Sequence, residues 1–321
     1  RRHGGAATLG HLRAGETPAL PGQRNKHALF MQSPLPVLAL LCNALLWGLS
    51  WWPFRSMHAA GLHPLWATAV MYTLVCAVML VARPGSLGDL LRQPALWLLA
   101  LNSGINNMAF NWAVTVGDVV RVVLVFYLMP AWLVLLAWRI LGERPTPAAL
   151  ARLGLAFGGV ALVLVPAGAS WGGLLANLSL ADALALLGGF TFAVTNVLLR
   201  RLHTVPGPAR MLAMFAGCMG LGWLAALAGL AAGVVPAFPA FDPRWAAMAA
   251  ALALLLMLGN WALQYGAARL PTAITGVVML SEVLFASVSS VLLGAAQLQP
   301  RTLAGGALIV LAALWATLQR R

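Results

Sequence analysis

Glu282 is an acid inside a long apolar stretch, where an ionisable group could exchange a proton or hold a charged solute. No other charged residue occurs between Pro271 and Pro300. On a helix beginning at Pro271, Glu282 would lie about 16 Å along the axis, near the middle of a bilayer core. Ionisable groups at that depth are costly and usually functional. We expect Glu282 to exchange a proton or to anchor an amine; the alternative is a protonated acid that only packs against a neighbouring helix.

Two pairs of amide side chains could bind a polar solute. Asn107 and Asn111 are four residues apart, and Asn260 and Gln264 repeat that spacing. Residues at this spacing share one face of a helix. Such pairs suit hydrogen bonds to a solute, but amides also bond across membrane helices for about 0.6–2 kcal/mol. Both interpretations remain open from the sequence.

Further candidate residues occur in two other apolar segments. Trp47 and Ser50 lie in one of them, with Asn43 a turn earlier, and Thr195 and Asn196 lie in the other. Trp47 could stack on an aromatic or apolar solute, although membrane tryptophans more often anchor at the bilayer surface. Because Trp47 lies too deep for such an anchor, we expect it to line a cavity.

Pro130 lies in the middle of an apolar segment and predicts a kink in its helix. Proline removes a backbone hydrogen bond, so a kink can expose carbonyl groups or act as a hinge. The alternative is a packing kink that never moves. Tyr127, three residues earlier, carries a hydroxyl that needs a partner.

Arg121 is a cation close to the start of the same segment, three residues after Asp118. It could attract anionic solutes to the mouth of a cavity. We favour a structural role, in which Asp118 caps the helix and pairs with the Arg121 side chain.

Membrane-spanning helices must position these residues. Apolar residues make up 61% of the 321 residues and charged residues only 8%, far below the roughly 25% charged residues of soluble domains. A helix needs roughly 20 residues to cross a bilayer core. Ten segments qualify: 35–54, 64–81, 94–116, 119–141, 150–165, 180–199, 209–234, 245–267, 273–294 and 303–318.

The ten segments fall into two similar copies of five. The stretch 47–58 matches 192–203 at an offset of 145, and 107–111 matches 260–264 at an offset of 153. Leu141-Gly142 matches Leu293-Gly294 at an offset of 152, and the same offset aligns Pro130 with Glu282. Five is odd, so the second copy would enter the membrane from the opposite side. Many secondary transporters are built this way, with the substrate site between the repeats.

The predicted fold is therefore an all-α integral membrane protein with ten transmembrane helices in two inverted five-helix repeats. The first repeat spans 31–167 and the second 178–321. Residues 1–30 are rich in Gly, Arg and Pro and have no apolar run, so we expect a disordered tail or an upstream extension. Met31 is the expected natural start.

Orientation explains the net charge of +13. With the amino terminus in the cytoplasm, eleven Lys and Arg residues lie on the cytoplasmic side and four on the other, before the first thirty residues are counted. Cytoplasmic loops of membrane proteins carry such an excess. We therefore place both termini in the cytoplasm, expect a bacterial inner-membrane protein, and expect no nucleic-acid partner.

No metal, cofactor or catalytic site is expected. Cys42, Cys76 and Cys218 lie in apolar segments without metal-ligand spacing, and all six His lie outside the segments or at their ends. There is no P-loop. An intramembrane enzyme would need clustered acids, histidines or a nucleophile with its base, so we expect no enzymatic activity.

An ordered set of motifs resembles the drug/metabolite transporter superfamily, EamA type. In the first copy the motifs are Trp47-Gly48, Pro130, Leu141-Gly142-Glu143-Arg144 and Gly158-Gly159; in the second they are Ser281-Glu282-Val283 and Gly305-Gly306. The second copy has Ala295 where the family often repeats the glutamate of the first. The resemblance implies ten helices in two inverted halves, a central cavity and alternating access, most often in metabolite exporters.

The function expected from the sequence is secondary-active export of a small organic metabolite or drug, with proton coupling as a hypothesis resting on Glu282. A lipid scramblase or channel is the alternative, and an intramembrane enzyme acting on lipid-linked substrates is less favoured. The partners expected are a small-molecule substrate and the lipid bilayer. The glycine pairs Gly158-Gly159 and Gly305-Gly306 suit close helix packing or a homodimer contact.

Overall fold

The computed structural model describes residues 34–141, 146–164, 178–202, 204–267, 269, 278–279, 281–296 and 299–318. These residues form helices and short connections, without a strand among them. The helices are α1 Leu35–Leu49, α2 Trp51–Ala59, α3 Pro64–Ala82, α4 Gly85–Arg92, α5 Pro94–Val116, α6 Val119–Phe126, α7 Met129–Leu141, α8 Pro147–Leu164, α9 Leu180–Arg201, α10 Gly207–Ala231, α11 Pro243–Ala267, α12 Ser281–Leu292 and α13 Pro300–Leu318. The predicted tail, the motif residues Gly142, Glu143 and Arg144, and Pro271 lie outside the described residues.

Five helices are long and apolar enough to cross a membrane: Leu35–Ala59, Pro64–Ala82, Leu180–Leu199, Gly207–Ala231 and Pro243–Gly266. Shorter apolar helices add Pro147–Val163, Ser281–Leu292 and Pro300–Ala312. The described part of the chain is therefore all-helical, and its apolar helices point to an integral membrane protein. The third predicted span is present as the helix α5, but four asparagines lower its hydropathy, so it is not among the five.

The fourth predicted span is not the single helix expected for 119–141. It consists of α6 and α7, which are interrupted at Tyr127 and Leu128. The interruption directly precedes the first turn of α7, where Pro130 lies. A proline in a first turn removes no helical hydrogen bond, because the first amides of a helix have no partner within it. The predicted single helix with a kink at Pro130 is therefore corrected to two helices with a two-residue interruption between them.

The described part of the ninth span consists of residues 278–279 and 281–294, so the depth that the sequence gives Glu282 from Pro271 stays a prediction. Glu282 lies in the first turn of α12. The short helix α4, between the second and third spans, was not predicted from the sequence. Its sequence is too short and too polar to be a span, and most of its residues are exposed or half-buried.

The first helix of each half runs beside the fourth span of the other half. Along α1 and α2, Asn43 contacts Met279 and Trp51 contacts Ser289. The residue numbers of the contacting pairs increase together along the two segments, so α1 and α2 are parallel to α12. Along α9, Asp182 contacts Arg121 and Gly189 lies against the backbone of Phe126, so α9 is parallel to α6.

A second helix pairing is also made twice, between positions that the sequence repeat relates. A Cβ atom placed on Gly259 of α11 would lie 3.4 Å from Oδ1 of Asn43 on α1. A Cβ atom placed on Gly188 of α9 would lie 3.6 Å from the carbonyl oxygen of Asn106 on α5. The first helix of each half thus packs against the third helix of the other half.

The fifth helix of each half also pairs with its counterpart, because α8 packs against α13 through glycine. A Cβ atom on Gly159 would lie 2.6 Å from the carbonyl oxygen of Gly305. Close helix packing, one of the two roles expected for the glycine pairs, is therefore present within one chain. Gly158 has no atom within 4 Å of its Cβ position.

Candidate functional site

Tyr127 and Glu282 meet between the two halves of the chain. The Tyr127 hydroxyl donates a hydrogen bond to Oε2 of Glu282 at 3.0 Å and lies 3.3 Å from the carbonyl oxygen of Met279. Tyr127 follows the last residue of α6, where the fourth span is interrupted. Glu282 is the second residue of α12. The second carboxylate oxygen of Glu282 has no protein partner among the described residues. The pair therefore joins the interruption in the fourth span to α12 through one hydrogen bond.

Gly48 allows α1 to approach the turn that carries Glu282. A Cβ atom on Gly48 would lie 2.8 Å from Cβ of Phe285 and 2.9 Å from the carbonyl oxygen of Glu282. Any larger residue would have to displace the backbone of α12. The structure therefore gives the glycine of the Trp47-Gly48 motif a direct role in placing Glu282. The indole of Trp47 is half-buried and packs against a large apolar cluster built mainly from α3, α10 and α11.

An aromatic cluster centred on Phe126 adjoins the tyrosine end of the pair. The ring of Phe126 lies 4.8 Å from that of Phe110, 5.6 Å from that of Phe192 and 6.2 Å from that of Tyr127, between centroids. These distances fall in the range of favourable aromatic contacts. The pair thus places one carboxylate close to an apolar, aromatic cluster.

The amides of α5 bond to α3 in this structure. Oδ1 of Asn107 accepts a hydrogen bond from the Tyr72 hydroxyl at 2.6 Å, and Nδ2 of Asn111 donates to Oγ1 of Thr68 at 3.1 Å. Both bonds link neighbouring helices, which is the structural alternative for these residues. Oδ1 of Asn111 is buried without a protein partner among the described residues, so one acceptor on this face is still available.

The second amide pair bonds to itself. Nε2 of Gln264 donates to Oδ1 of Asn260 at 3.0 Å along α11, and Gln264 is exposed. Among the described residues, neither side chain bonds to Tyr127 or Glu282. The two amide pairs, which the sequence repeat relates, therefore have different surroundings in the structure.

Three further predicted residues bond within their own helices or lack a partner. Oγ of Ser50 donates to the carbonyl oxygen of Trp47 at 2.7 Å, and α1 gives way to α2 at Ser50. Nδ2 of Asn196 donates to the carbonyl oxygen of Phe192 at 2.8 Å. Oγ1 of Thr195 is buried without a protein partner in the described part of the chain. None of these side chains bonds to the Tyr127–Glu282 pair.

Arg121 has a different partner from the one predicted. Asp118 does cap α6, because its Oδ1 accepts the backbone N–H of Arg121 at 2.8 Å. The Arg121 side chain instead forms two bonds to Asp182, from Nε to Oδ1 at 2.7 Å and from Nη2 to Oδ2 at 2.8 Å. The predicted pairing with Asp118 was wrong because it considered only neighbours in sequence.

The sequence did offer a signal for Asp182 that was not used. Ser179 and Asp182 have the spacing of a capping box, in which each side chain bonds to the backbone of the other. The structure contains that box at the start of α9. Asn43, whose Nδ2 lies 3.5 Å from the Met279 sulfur, is a further residue beside the site, although it was noted in the sequence only as a neighbour of Trp47.

Comparisons with known proteins agree with the helical fold. The profile of the EamA-like transporter family matches residues 34–165. One solved crystal structure has a TM-score of 0.57 and 22% sequence identity, and the alignment covers 88% of this chain and 96% of that one. At this identity the likeness concerns the fold alone. No curated protein matches the chain.

Proposed function

Because residues 34–165 belong to the EamA-like transporter family, part of the drug/metabolite transporter superfamily, we propose that the chain is a secondary-active carrier for a small organic solute. Its two five-helix halves move against each other, and the site lies where they meet. The hydrogen bond between Tyr127 and Glu282 carries this proposal, because it joins the fourth span, in the first half, to the ninth span, in the second half.

The repeated helix pairings support the inverted arrangement. Contacts between α1 and α11 and between α9 and α5 relate the same positions of the two copies. A near-symmetric core of this kind allows two packings of similar energy, one open to each side, which is the basis of alternating access in inverted-repeat transporters.

Glu282 supplies the step at which solute and conformation are coupled. In the described conformation its carboxylate is held by the Tyr127 hydroxyl. A proton, or an amine of the solute, that binds the second oxygen of Glu282 lowers the negative charge on the oxygen that accepts this bond, and so weakens the link between α6 and α12. The carrier thereby couples the occupancy of Glu282 to the relative position of the two halves. The resemblance to a family of mostly metabolite exporters favours export as the direction, across a bacterial inner membrane with both termini in the cytoplasm.

A binding screen tests the site directly. The full chain, purified in detergent, is heated with members of a metabolite and drug library, and so are the variants Glu282→Gln and Asp89→Asn. Asp89 is an acid on α4, away from the bond to Tyr127. A ligand at a hundred times its dissociation constant adds about 2.7 kcal/mol of stability to a protein that it binds.

The expected result is a ligand that stabilises the parent and Asp89→Asn but not Glu282→Gln. A ligand that stabilises all three would identify the substrate but exclude Glu282 from its site. Absence of any ligand, together with lipid movement in vesicles containing the protein, would contradict the small-solute carrier and favour a scramblase.

A further inference from the structure

A buried ion pair joins the two halves at one end of the molecule. Arg121, at the start of α6, makes two parallel bonds to Asp182, at the start of α9. The Asp182 side chain is 1% exposed and that of Arg121 is 26% exposed. Two-pronged arginine–carboxylate contacts fix geometry as well as contributing energy. A pair this shielded from solvent differs from an ordinary surface salt bridge, which contributes little.

Asp182 is held by its own helix as well. Its Oδ2 accepts hydrogen bonds from the backbone N–H and the hydroxyl of Ser179, at 2.9 Å and 2.8 Å. The first of these bonds forms the capping box of α9 together with the bond that the backbone N–H of Asp182 donates to Oγ of Ser179 at 3.2 Å. The carboxylate is therefore fixed relative to the helix axis, so movement of α9 away from α6 must break the bonds to Arg121.

The same end carries a second set of bonds that joins further helices. The guanidinium of Arg55, on α2, donates to the carbonyl oxygen of Val114 at 3.1 Å, to that of Ala295 at 3.4 Å, and to that of Gly117. Gly117 directly precedes Asp118, the cap of α6. Polar bonds thus connect the ends of α2, α5, α6 and α9 and the segment that follows α12.

The repeat-related positions cannot form an equivalent ion pair. The alignment of the two copies relates Asp182 to Val37 and Arg121 to Ala273. Neither residue is charged, so the sequence repeat does not supply an equivalent ion pair at those positions. An inverted repeat with an ion pair at one place and uncharged residues at the repeat-related place has two alternative states of unequal energy.

On this basis we propose that Arg121 and Asp182 form a latch that closes one end of the carrier and biases it towards opening at the other. The proposal rests on the proposed alternating access. The latch is formed in the described conformation and opens when α6 and α9 separate. By the orientation argued above, it lies at the non-cytoplasmic end, so the carrier would rest open to the cytoplasm, where an exporter collects its solute.

Thiol labelling tests the latch without a substrate. Cys42, Cys76 and Cys218 are first replaced by serine in the full chain. Ala185→Cys, a fully buried position one turn from Asp182 on α9, reports opening at the latched end. Ala249→Cys, a fully buried position on α11, is the matched reporter for general loosening. A membrane-impermeant maleimide is added to either side of sealed proteoliposomes.

Three variants are compared in each reporter background. Asp182→Asn removes the charge but keeps the size of the side chain. Arg121→Lys keeps the charge but cannot form two parallel bonds. Asp242→Asn removes a carboxylate that bonds only to the backbone N–H of Arg244.

The latch predicts about tenfold or faster labelling of Ala185→Cys in Asp182→Asn, from one side only, because breaking a buried pair is among the larger single-residue effects. Arg121→Lys should give a smaller increase and Asp242→Asn none. Unchanged labelling of Ala185→Cys in Asp182→Asn overturns the latch, and so does an equal increase at Ala249→Cys. A labelling response without solute transport would keep the latch and reject the proposed function.

Discussion

At the scale of single residues, the candidate site is one hydrogen bond with different chemistry at its two ends. Glu282 offers a carboxylate with a second oxygen, whereas Tyr127 offers a hydroxyl on a ring that lies beside Phe126. Hydrogen bonds to charged groups contribute about 1.5–3 kcal/mol, roughly twice the value for neutral pairs. This energy is large enough to hold the halves in one arrangement and small enough for a bound proton or solute to replace it.

Replacing Tyr127 by phenylalanine should therefore slow transport about tenfold, since a factor of ten corresponds to about 1.4 kcal/mol. The ring remains among its aromatic neighbours and only the bond to Glu282 is lost. Initial rates of solute uptake into proteoliposomes give the comparison. Tyr265→Phe is the control, because that hydroxyl has no hydrogen bond among the described residues. Equal rates for the parent and Tyr127→Phe would remove the bond from the mechanism.

His63 makes the stability of the protein depend on pH. Burial, and secondarily the neighbouring His58, lower the pKa of His63 below its ordinary value. Its neutral Nδ1 caps α3 by accepting the backbone N–H of Leu65 at 3.3 Å. As the pH falls, His63 is therefore protonated in the unfolded chain before it is protonated in the folded protein. The free energy of unfolding is intact above about pH 6.5, and it falls as the pH drops through the lowered pKa of His63.

The melting temperature should therefore fall between pH 7 and pH 5, and His63→Asn should make the curve flatter. Asparagine is a good cap and does not titrate. His58→Asn, at the exposed neighbouring ring, is the control and should keep most of the fall. The assignment fails if the parent and His63→Asn lose the same number of degrees over this range.

At the scale of helices, Gly48 determines how closely α1 approaches the helix that carries Glu282. The tight contact of Gly48 with the first turn of α12 contrasts with Gly154 of α8, which has nothing within 4 Å of its Cβ position. Replacing glycine by alanine favours a helix by about 1 kcal/mol when space is available. Where space is lacking, overpacking costs about 1–3 kcal/mol.

Gly48→Ala should accordingly destabilise the protein by about 1–3 kcal/mol and reduce transport, whereas Gly154→Ala should leave it unchanged or slightly more stable. Thermal unfolding and uptake rates measure the two effects separately. If Gly48→Ala behaves like Gly154→Ala, then α1 does not position Glu282 through this contact.

Apolar length predicted most of these helices well, because a bilayer imposes one length on every span. The break at Tyr127 could not be read from composition, since the residues on either side of it are equally apolar. Contacts between residues far apart in the sequence could not be predicted either. Tyr127 and Glu282 were each identified as candidates, but 155 positions separate them and only the fold shows their bond. Arg121 was given the wrong partner for the same reason.

At the scale of the whole molecule, the proposed architecture has two halves built from two copies of one sequence pattern. The pairings of α1 with α11 and of α9 with α5 place repeat-related helices in equivalent surroundings. Charge does not follow this symmetry, because Glu282 aligns with Pro130 and the Arg121–Asp182 pair aligns with uncharged residues. Near-symmetry of packing with asymmetry of charge is what a carrier with a preferred resting state requires.

The inverted arrangement predicts that related loops lie on opposite sides of the membrane. Ala60, after α2, and Thr204, after α9, are exposed and follow the first helix of each repeat. In a cysteine-free background, Ala60→Cys should react with an impermeant maleimide added to intact cells. Thr204→Cys should react only after the membrane is opened, because cytoplasmic termini place it inside. Reaction of both positions from one side would reject the inverted repeat. Reaction of each from the side opposite to that expected would keep the repeat, reverse the orientation and move the Arg121–Asp182 latch to the cytoplasmic end.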